Sequence, residues 1–343
     1  MQSYSNSNIA SEIVPPLFIM GCMRSGTTLV SQIFSSHSRI AVFHETYYYT
    51  FFRPELHYYG DLGQPPNLMR FITDVLESIR VQQVNPPEIE EFRKALVAPT
   101  FEGVLTTLLH LYARSQGKVR GGDKTPTHHV YLSEILEKFP ESPVIFIIRD
   151  PRDTVLSLQK AFGTSIDGGA RLWNDTFLSY SNASQDVYLV RYEELVQKPA
   201  EVVKAMCEFI DEPYEPTMLR FFERIPERLH GRYHLRKLFE PMNATSVGNF
   251  RQMSTRDIER IEAACAVGME ALGYPFTTRL ATCPGVVNRN APSILSFLSY
   301  LLDRLRYYKL KRGRWRAGWF RWKIVLRIRG RYWLTLMPLR NRR

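Results

Sequence analysis

The stretch that most constrains this chain is Leu17-Phe18-Ile19-Met20-Gly21-Cys22-Met23-Arg24-Ser25-Gly26-Thr27-Thr28. It reads as a short buried strand that breaks into a glycine-containing turn and then a helix. Gly21 and Gly26 accept backbone conformations closed to other residues, so consecutive N–H groups can converge on one concave space. Thr27 and Thr28 open a helix that continues through Leu29, Val30, Ile33 and Phe34. A helix start carries N–H donors and the positive end of the helix dipole, which together favour an anion.

The spacing Gly21-x4-Gly26 copies the start of the nucleoside-triphosphate P-loop, but Thr27 stands where that motif places its lysine. A positive charge sits instead at Arg24, inside the turn. This arrangement suits an anion other than a magnesium-bound triphosphate, and argues against a P-loop kinase.

Further strands follow. Ile40 to Phe43 forms one, and Lys118 to Lys124 another that ends in a polar loop. Val144 to Ile148 is apolar throughout, as a parallel strand covered on both faces should be. Val187 to Val190 is the last. Helical spacing of Leu68, Phe71, Ile72, Val75, Val104, Leu105 and Leu108 marks a helical cap over the sheet. Strands alternating with helices define an α/β fold: a P-loop-like, doubly wound parallel sheet of about five strands. In such sheets ligands bind outside the carboxyl ends of the strands. His44-Glu45-Thr46, Arg149-Asp150-Pro151-Arg152-Asp153 and Arg191-Tyr192-Glu193-Glu194 all fall at such ends.

With those strand ends in place, the chain resembles the PAPS-dependent sulfotransferases (PAPS is 3′-phosphoadenosine 5′-phosphosulfate), in a bacterial branch related to the tyrosylprotein sulfotransferases. Four stretches carry the resemblance. Met23 to Leu29 is similar to the loop that holds the 5′-phosphosulfate, implying Arg24, Ser25, Gly26, Thr27 and Thr28 as donor contacts. His44-Glu45-Thr46 lies at the family's distance from that loop, implying Glu45 as general base. Gly122-Asp123-Lys124-Thr125-Pro126 resembles the loop with a catalytic lysine, here Lys124. Ile148 to Arg152, with Ser157, resembles the 3′-phosphate site, implying Arg149 and Ser157. Tyr192, and Arg251 in a segment closing over the cofactor phosphate, follow from weaker agreement. The departures are His44-Glu45 in place of a Glu-Glu pair and the Lys-Thr-Pro form of the lysine loop, which turn the expected acceptor from peptide tyrosine toward a carbohydrate, lipid or other metabolite.

The residue types fit the chemistry in its own right. In-line displacement at sulfur needs a base for the acceptor hydroxyl, here Glu45, and cationic or N–H donors for the departing oxygen, here Lys124 and the turn amides. Arg149 offers a bidentate fork and Ser157 a hydroxyl, expected at a helix start, for the 3′-phosphate. No metal is required, since the cradle already supplies donors. Two plainer readings compete: Lys124 paired with Asp123, and Arg149 bridged to Asp150 or Asp153. Arg152 is read as structural. A nucleotide-binding adaptor without turnover is the alternative of another class, and the presence of both Glu45 and Lys124 argues against it.

The net charge of +11 is not spread evenly. Residues 296–343 hold 15 Lys and Arg against the single acid Asp303, and 281–343 hold four of the five tryptophans. Ile294, Leu298, Leu301, Leu305 and Tyr308 make one helical stripe, followed by basic residues interleaved with aromatics. This matches an interfacial anchor on an anionic membrane, through residues 293–343, better than a nucleic-acid groove, with an extension that folds back on the catalytic domain as the plainer alternative. The organisation read from sequence is therefore a disordered start over 1–14, a catalytic domain over 15–280 and a basic aromatic extension over 281–343. With no leader-like start and no apolar run of about 18 residues, the expected location is cytoplasmic, peripheral on the inner membrane face. The four dispersed cysteines carry no metal or disulfide pattern.

Overall fold

The computed structural model describes residues 13–78, 86–183, 186–225 and 237–278. The basic extension, and with it the membrane assignment to 293–343, lies outside the described residues. Five strands, β1 (Leu17–Gly21), β2 (Ile40–His44), β3 (Arg120–Lys124), β4 (Val144–Ile148) and β5 (Tyr188–Arg191), form one sheet in the order β2-β3-β1-β4-β5. Every pairing is parallel. The register aligns His44 with Lys124, Gly21 with Ile147 and Ile148 with Arg191. The carboxyl ends of all five strands therefore share one edge, with the glycine turn after the central strand.

Alternation along the strands sorts the core into two faces, because successive side chains of a strand point to opposite sides. Phe18, Met20, Phe43, Val144 and Phe146 face a cluster built with α3 (Pro65–Leu76), α4 (Ile89–Lys94) and α5 (Phe101–Ser115). Leu17, Ile19, Ile40, Val42, Ile145 and Ile147 face the opposite one, built with α1 (Thr27–Ser35) and α10 (Pro199–Phe209). The apolar run of β4 is thus split between both faces, as a doubly covered strand requires. The helices expected over residues 68–111 cover one of these faces, α5 lying directly on β3 and β2.

A third cluster sits past the end of β4. There Ile148 and Cys22 meet Trp173 of α8 (Ile166–Ser181) and Ile261, Cys265 and Met269 of α11 (Thr255–Ala271), with Val155 of α7 (Pro151–Phe162) between them. Asp150 caps α7 by accepting from the Arg152 N–H, and Ser254 caps α11 by accepting from the Asp257 N–H. The chain leaves β3 through a 3₁₀ segment, Pro126–Tyr131, before α6 (Leu132–Lys138). Pro126 fixes the first φ and has no N–H to donate, which suits that tight entry.

Candidate active site

The turn after β1 depends on its two glycines. Gly21 has φ 144°, and a Cβ there would stand 2.0 Å from the Ile147 carbonyl oxygen. Gly26 has φ 103°, and a Cβ there would meet the Tyr192 ring at 2.7 Å. Arg24 also takes the left-handed conformation, φ 70°. The α1 start has no side-chain cap and no acidic residue in its first turn. A helix entry built this way leaves the role of cap to an anion.

Two guanidinium groups converge beside it. Arg24 Nε donates to Ser157 Oγ at 3.2 Å, and Arg149 Nη1 donates to the Arg24 carbonyl at 3.3 Å. Arg149 also donates from Nη2 to the Ser246 carbonyl, stands 3.6 Å from Asp153 Oδ2 and lies 4.7 Å above the Tyr192 ring. Burial and then the neighbouring Arg149 charge pull the Arg24 pKa down to about 10. Arg24 is half-buried and Arg149 buried, and two cations held this close favour negative charge beside them, part of which Asp153 supplies. Ser25 Oγ and Arg149 Nε are buried with no hydrogen-bond partner among the described residues. An anion reaching into the turn would satisfy both donors.

On the other side of β1, Lys124 Nζ donates to Glu45 Oε1 at 2.9 Å and to Thr28 Oγ1 at 3.3 Å. The Lys124 side chain is fully buried and that of Glu45 is 18% exposed. One ammonium thus joins the carboxylate at the end of β2 to the hydroxyl at the helix start. Glu45 is also close enough to Arg24 to act on it electrostatically. Of the residues picked out from sequence, Glu45, Lys124, Thr28, the Arg24–Gly26 turn, Ser157, Arg149 and Tyr192 lie in one continuous constellation, and Arg251 lies apart from these contacts.

Three details differ from the sequence reading. Ser157 is not at a helix start; it is the seventh residue of α7, one and a half turns in, and reaches the turn because that helix passes beside Arg24. Lys124 pairs with Glu45 and not with Asp123, because neighbours on a strand face opposite ways. Of the two acids proposed for Arg149, only Asp153 is near, while Asp150 binds Arg152 with both oxygens. Arg251 lines a cavity of about 210 Å³ together with Arg152, Asp153, Phe250 and Tyr274. Asp153 links that cavity to Arg149, accepting from the Gly248 and Phe250 N–H groups at 2.7 and 2.8 Å.

Sequence reasoning missed Tyr47 and Asp123. Tyr47 opens the aromatic run 47–52, which reads from sequence as core packing ahead of acceptor lining, and most of that run is core: Tyr48, Tyr49 and Phe52 are buried. The Tyr47 hydroxyl instead donates to Glu45 Oε2 at 3.1 Å. Asp123 Oδ1 accepts from the Thr46 N–H at 3.1 Å, holding the turn that carries Glu45. Strand alternation was the available signal for Asp123; for Tyr47 it was the place of the aromatic run just past a strand end, which did not single out one ring.

The fold and this constellation define an α/β protein with a P-loop-like anion cradle, a paired carboxylate and ammonium at its mouth, and no P-loop lysine. Residues 15–216 match the Sulfotransferase family, and the chain belongs to that family. A protein of Aquifex aeolicus is 26% identical over 223 residues, 61% of this chain and 27% of that protein. The protein-tyrosine sulfotransferase of Drosophila melanogaster is 23% identical over 283 residues, 76% of this chain and 52% of that enzyme. The chain thus spans about half or less of the length of these two relatives. Among solved structures, the sulfotransferase domain from the curacin biosynthetic pathway superposes with a TM-score of 0.54 at 19% identity, covering 77% of this chain and 99% of that domain. At that identity the likeness is one of fold.

Proposed function

We propose that the protein transfers a sulfuryl group from PAPS to a hydroxyl of a carbohydrate, lipid or other metabolite, with Glu45 as general base. The observation that carries this reading is the placement of Lys124 Nζ between Glu45 Oε1, at 2.9 Å, and Thr28 Oγ1, at 3.3 Å. That placement brings a proton acceptor and a cation to the mouth of one anion cradle, as in-line transfer requires.

In this reading Arg24, Ser25, Gly26, Thr27 and Thr28 hold the 5′-phosphosulfate. Arg149 and Ser157 bind the 3′-phosphate, Tyr192 packs at the nucleotide between Gly26 and the Arg149 guanidinium, and Arg251 closes from the 246–251 segment. Glu45 accepts the acceptor's proton as its oxygen attacks sulfur. Lys124, which bonds Glu45 in the described state, turns toward Thr28 and neutralises the oxygen on which the departing nucleotide carries its charge. The charge that develops is met by side chains and amides, and no step calls on a metal.

Sulfation of a peptide tyrosine is the second reading, favoured by the Drosophila relative, a protein-tyrosine sulfotransferase. Peripheral attachment to an anionic membrane through 293–343 rests on sequence alone. Recovery of the intact chain, and not of one truncated at Pro292, with phosphatidylserine-containing liposomes would support it; equal recovery would end it. Incubation with sulfur-labelled PAPS and an extract of the protein's own cells, followed by mass spectrometry of the labelled product, tests the function and separates the acceptors. Tight binding of adenosine 3′,5′-bisphosphate with no transfer to any fraction would favour the adaptor instead.

A further inference from the structure

The turn between β2 and α2 (Tyr48–Phe52) holds two non-glycine residues in the left-handed region, Glu45 at φ 64° and Tyr47 at φ 53°. Such conformations are unfavourable for L side chains and persist only where the surroundings impose them, most often at functional sites. Here the end of β3 imposes them through three acceptors that take the successive N–H groups of the turn. The Glu45 N–H donates to the Lys124 carbonyl at 2.9 Å, the Thr46 N–H to Asp123 Oδ1 at 3.1 Å and the Tyr47 N–H to Thr125 Oγ1 at 3.3 Å. Asp123 is braced in turn: the Thr125 hydroxyl donates to Oδ1 at 3.0 Å, and His128 Nδ1 stands 2.9 Å from Oδ2.

The outcome of this strain is that two side chains two positions apart, Glu45 and Tyr47, meet at the same place. Lys124 Nζ takes one oxygen of the Glu45 carboxylate, and the Tyr47 hydroxyl takes the other. The Tyr47 ring is 4% exposed and stacks on Phe51 with centroids 5.2 Å apart and planes 14° apart, so its hydroxyl is delivered by a fixed frame. We infer that Tyr47 is a positioning residue for sulfuryl transfer, its phenol aiming Glu45 Oε2 at the acceptor and favouring the ionised form of that carboxylate. The inference rests on the proposed role of Glu45 as base. A donor held on one lone pair leaves Oε2 another with which to receive the acceptor's proton, and a fixed carboxylate is worth more in the transition state than a mobile one. Among the described residues, the charged groups facing Glu45 include Lys124 from β3 and Arg24 from the turn after β1. Tyr47 contributes a hydrogen bond to the charged form without adding charge.

The test uses the full chain labelled with ¹³C at the glutamate side-chain carboxyls, with Glu45→Gln assigning the Glu45 resonance. Tyr47→Phe keeps the ring stacked on Phe51 and removes only the hydroxyl. It is expected to move the Glu45 titration to higher pH. The same variant should lower transfer of label from saturating PAPS into the cell extract about tenfold, with unchanged affinity for adenosine 3′,5′-bisphosphate. An unmoved titration overturns the inference, and so does a moved titration with an unaltered rate. If Glu45→Gln transfers at the wild-type rate, the base assignment itself falls and the positioning role with it. Failure of the inference alone looks different: Glu45→Gln is inactive while Tyr47→Phe behaves as wild type.

Discussion

Replacing Arg152 by methionine tests whether the loop after β4 is held from behind by a buried ionic network. Arg152 is 1% exposed. Its Nε and Nη2 donate to the two oxygens of Asp150 at 2.9 and 2.6 Å, and its Nη1 donates to Glu262 Oε1 at 2.6 Å and to the Pro275 carbonyl at 2.9 Å. The guanidinium also lies 4.0 Å over the Phe250 ring. Removing one partner of a buried ion pair costs about 3–5 kcal/mol, because the other charge is left uncompensated. Glu262 keeps donors from the N–H and hydroxyl of Thr277 and of Thr278, at 2.6 to 3.0 Å. Asp150 keeps its capping bond from the Arg152 N–H. Those remaining bonds place the expected loss at the lower end, about 3 kcal/mol at pH 7, read as the shift of the urea unfolding midpoint.

The pH dependence gives a second handle on the same network. Burial pushes the Glu262 carboxyl up, but donors from Thr278, Thr277 and Arg152 outweigh it and hold its pKa below the ordinary 4.5. A carboxyl depressed in the folded state adds stability above its unfolded pKa, and that stability is lost as pH falls through the folded value. The wild type therefore weakens below about pH 4.5 through this group, while the variant, lacking one donor, weakens less steeply there. The gap between the two proteins should narrow in acid. A loss under about 1 kcal/mol at pH 7, or an equal gap at pH 7 and below pH 4, would refute the reasoning.

Other consequences can be measured separately. Glu45→Ala should lower transfer by about 10²-fold or more while leaving adenosine 3′,5′-bisphosphate binding intact; turnover near the wild-type rate would remove Glu45 from the base role. Arg149→Ala should raise the calorimetric dissociation constant for that nucleotide by about 10- to 100-fold, the worth of hydrogen bonds to a charged group, and an unchanged constant would put the 3′-phosphate elsewhere. Burial, with the neighbouring His128 adding to it, lowers the His129 pKa to about 4. Stability tied to that neutral ring is present above its unfolded value of about 6.5 and falls by about 1.4 kcal/mol per unit as pH drops toward the folded value. His129→Gln should flatten that part of the stability curve, and a slope equal to the wild type's would count against it.

Much of the fold was legible because its signals are local and periodic. The apolar run of β4 announces a strand covered on both faces, and Ser254 ahead of Asp257 announces the start of α11. The glycines at 21 and 26 are legible for the same reason: the turn needs φ values that few other residues accept. What places Glu45, Lys124 and Arg149 near one another is less local. The rule that ligands gather at strand carboxyl ends put all three at one edge, but not in contact.

The sequence by itself determined the parallel α/β architecture, the glycine turn after the first strand and the charged residues at the strand ends, since each follows from spacing and residue type along the chain. The tertiary structure decided who touches whom. Strand alternation turned Lys124 away from Asp123 and onto Glu45, the path of α7 carried Ser157 from the middle of a helix to Arg24, and the stitching of residues 45–47 to the end of β3 brought Tyr47 out of an aromatic run and onto a carboxylate. Those contacts join residues far apart in the chain or held in strained backbone, so they exist only once the sheet has fixed the distances between them.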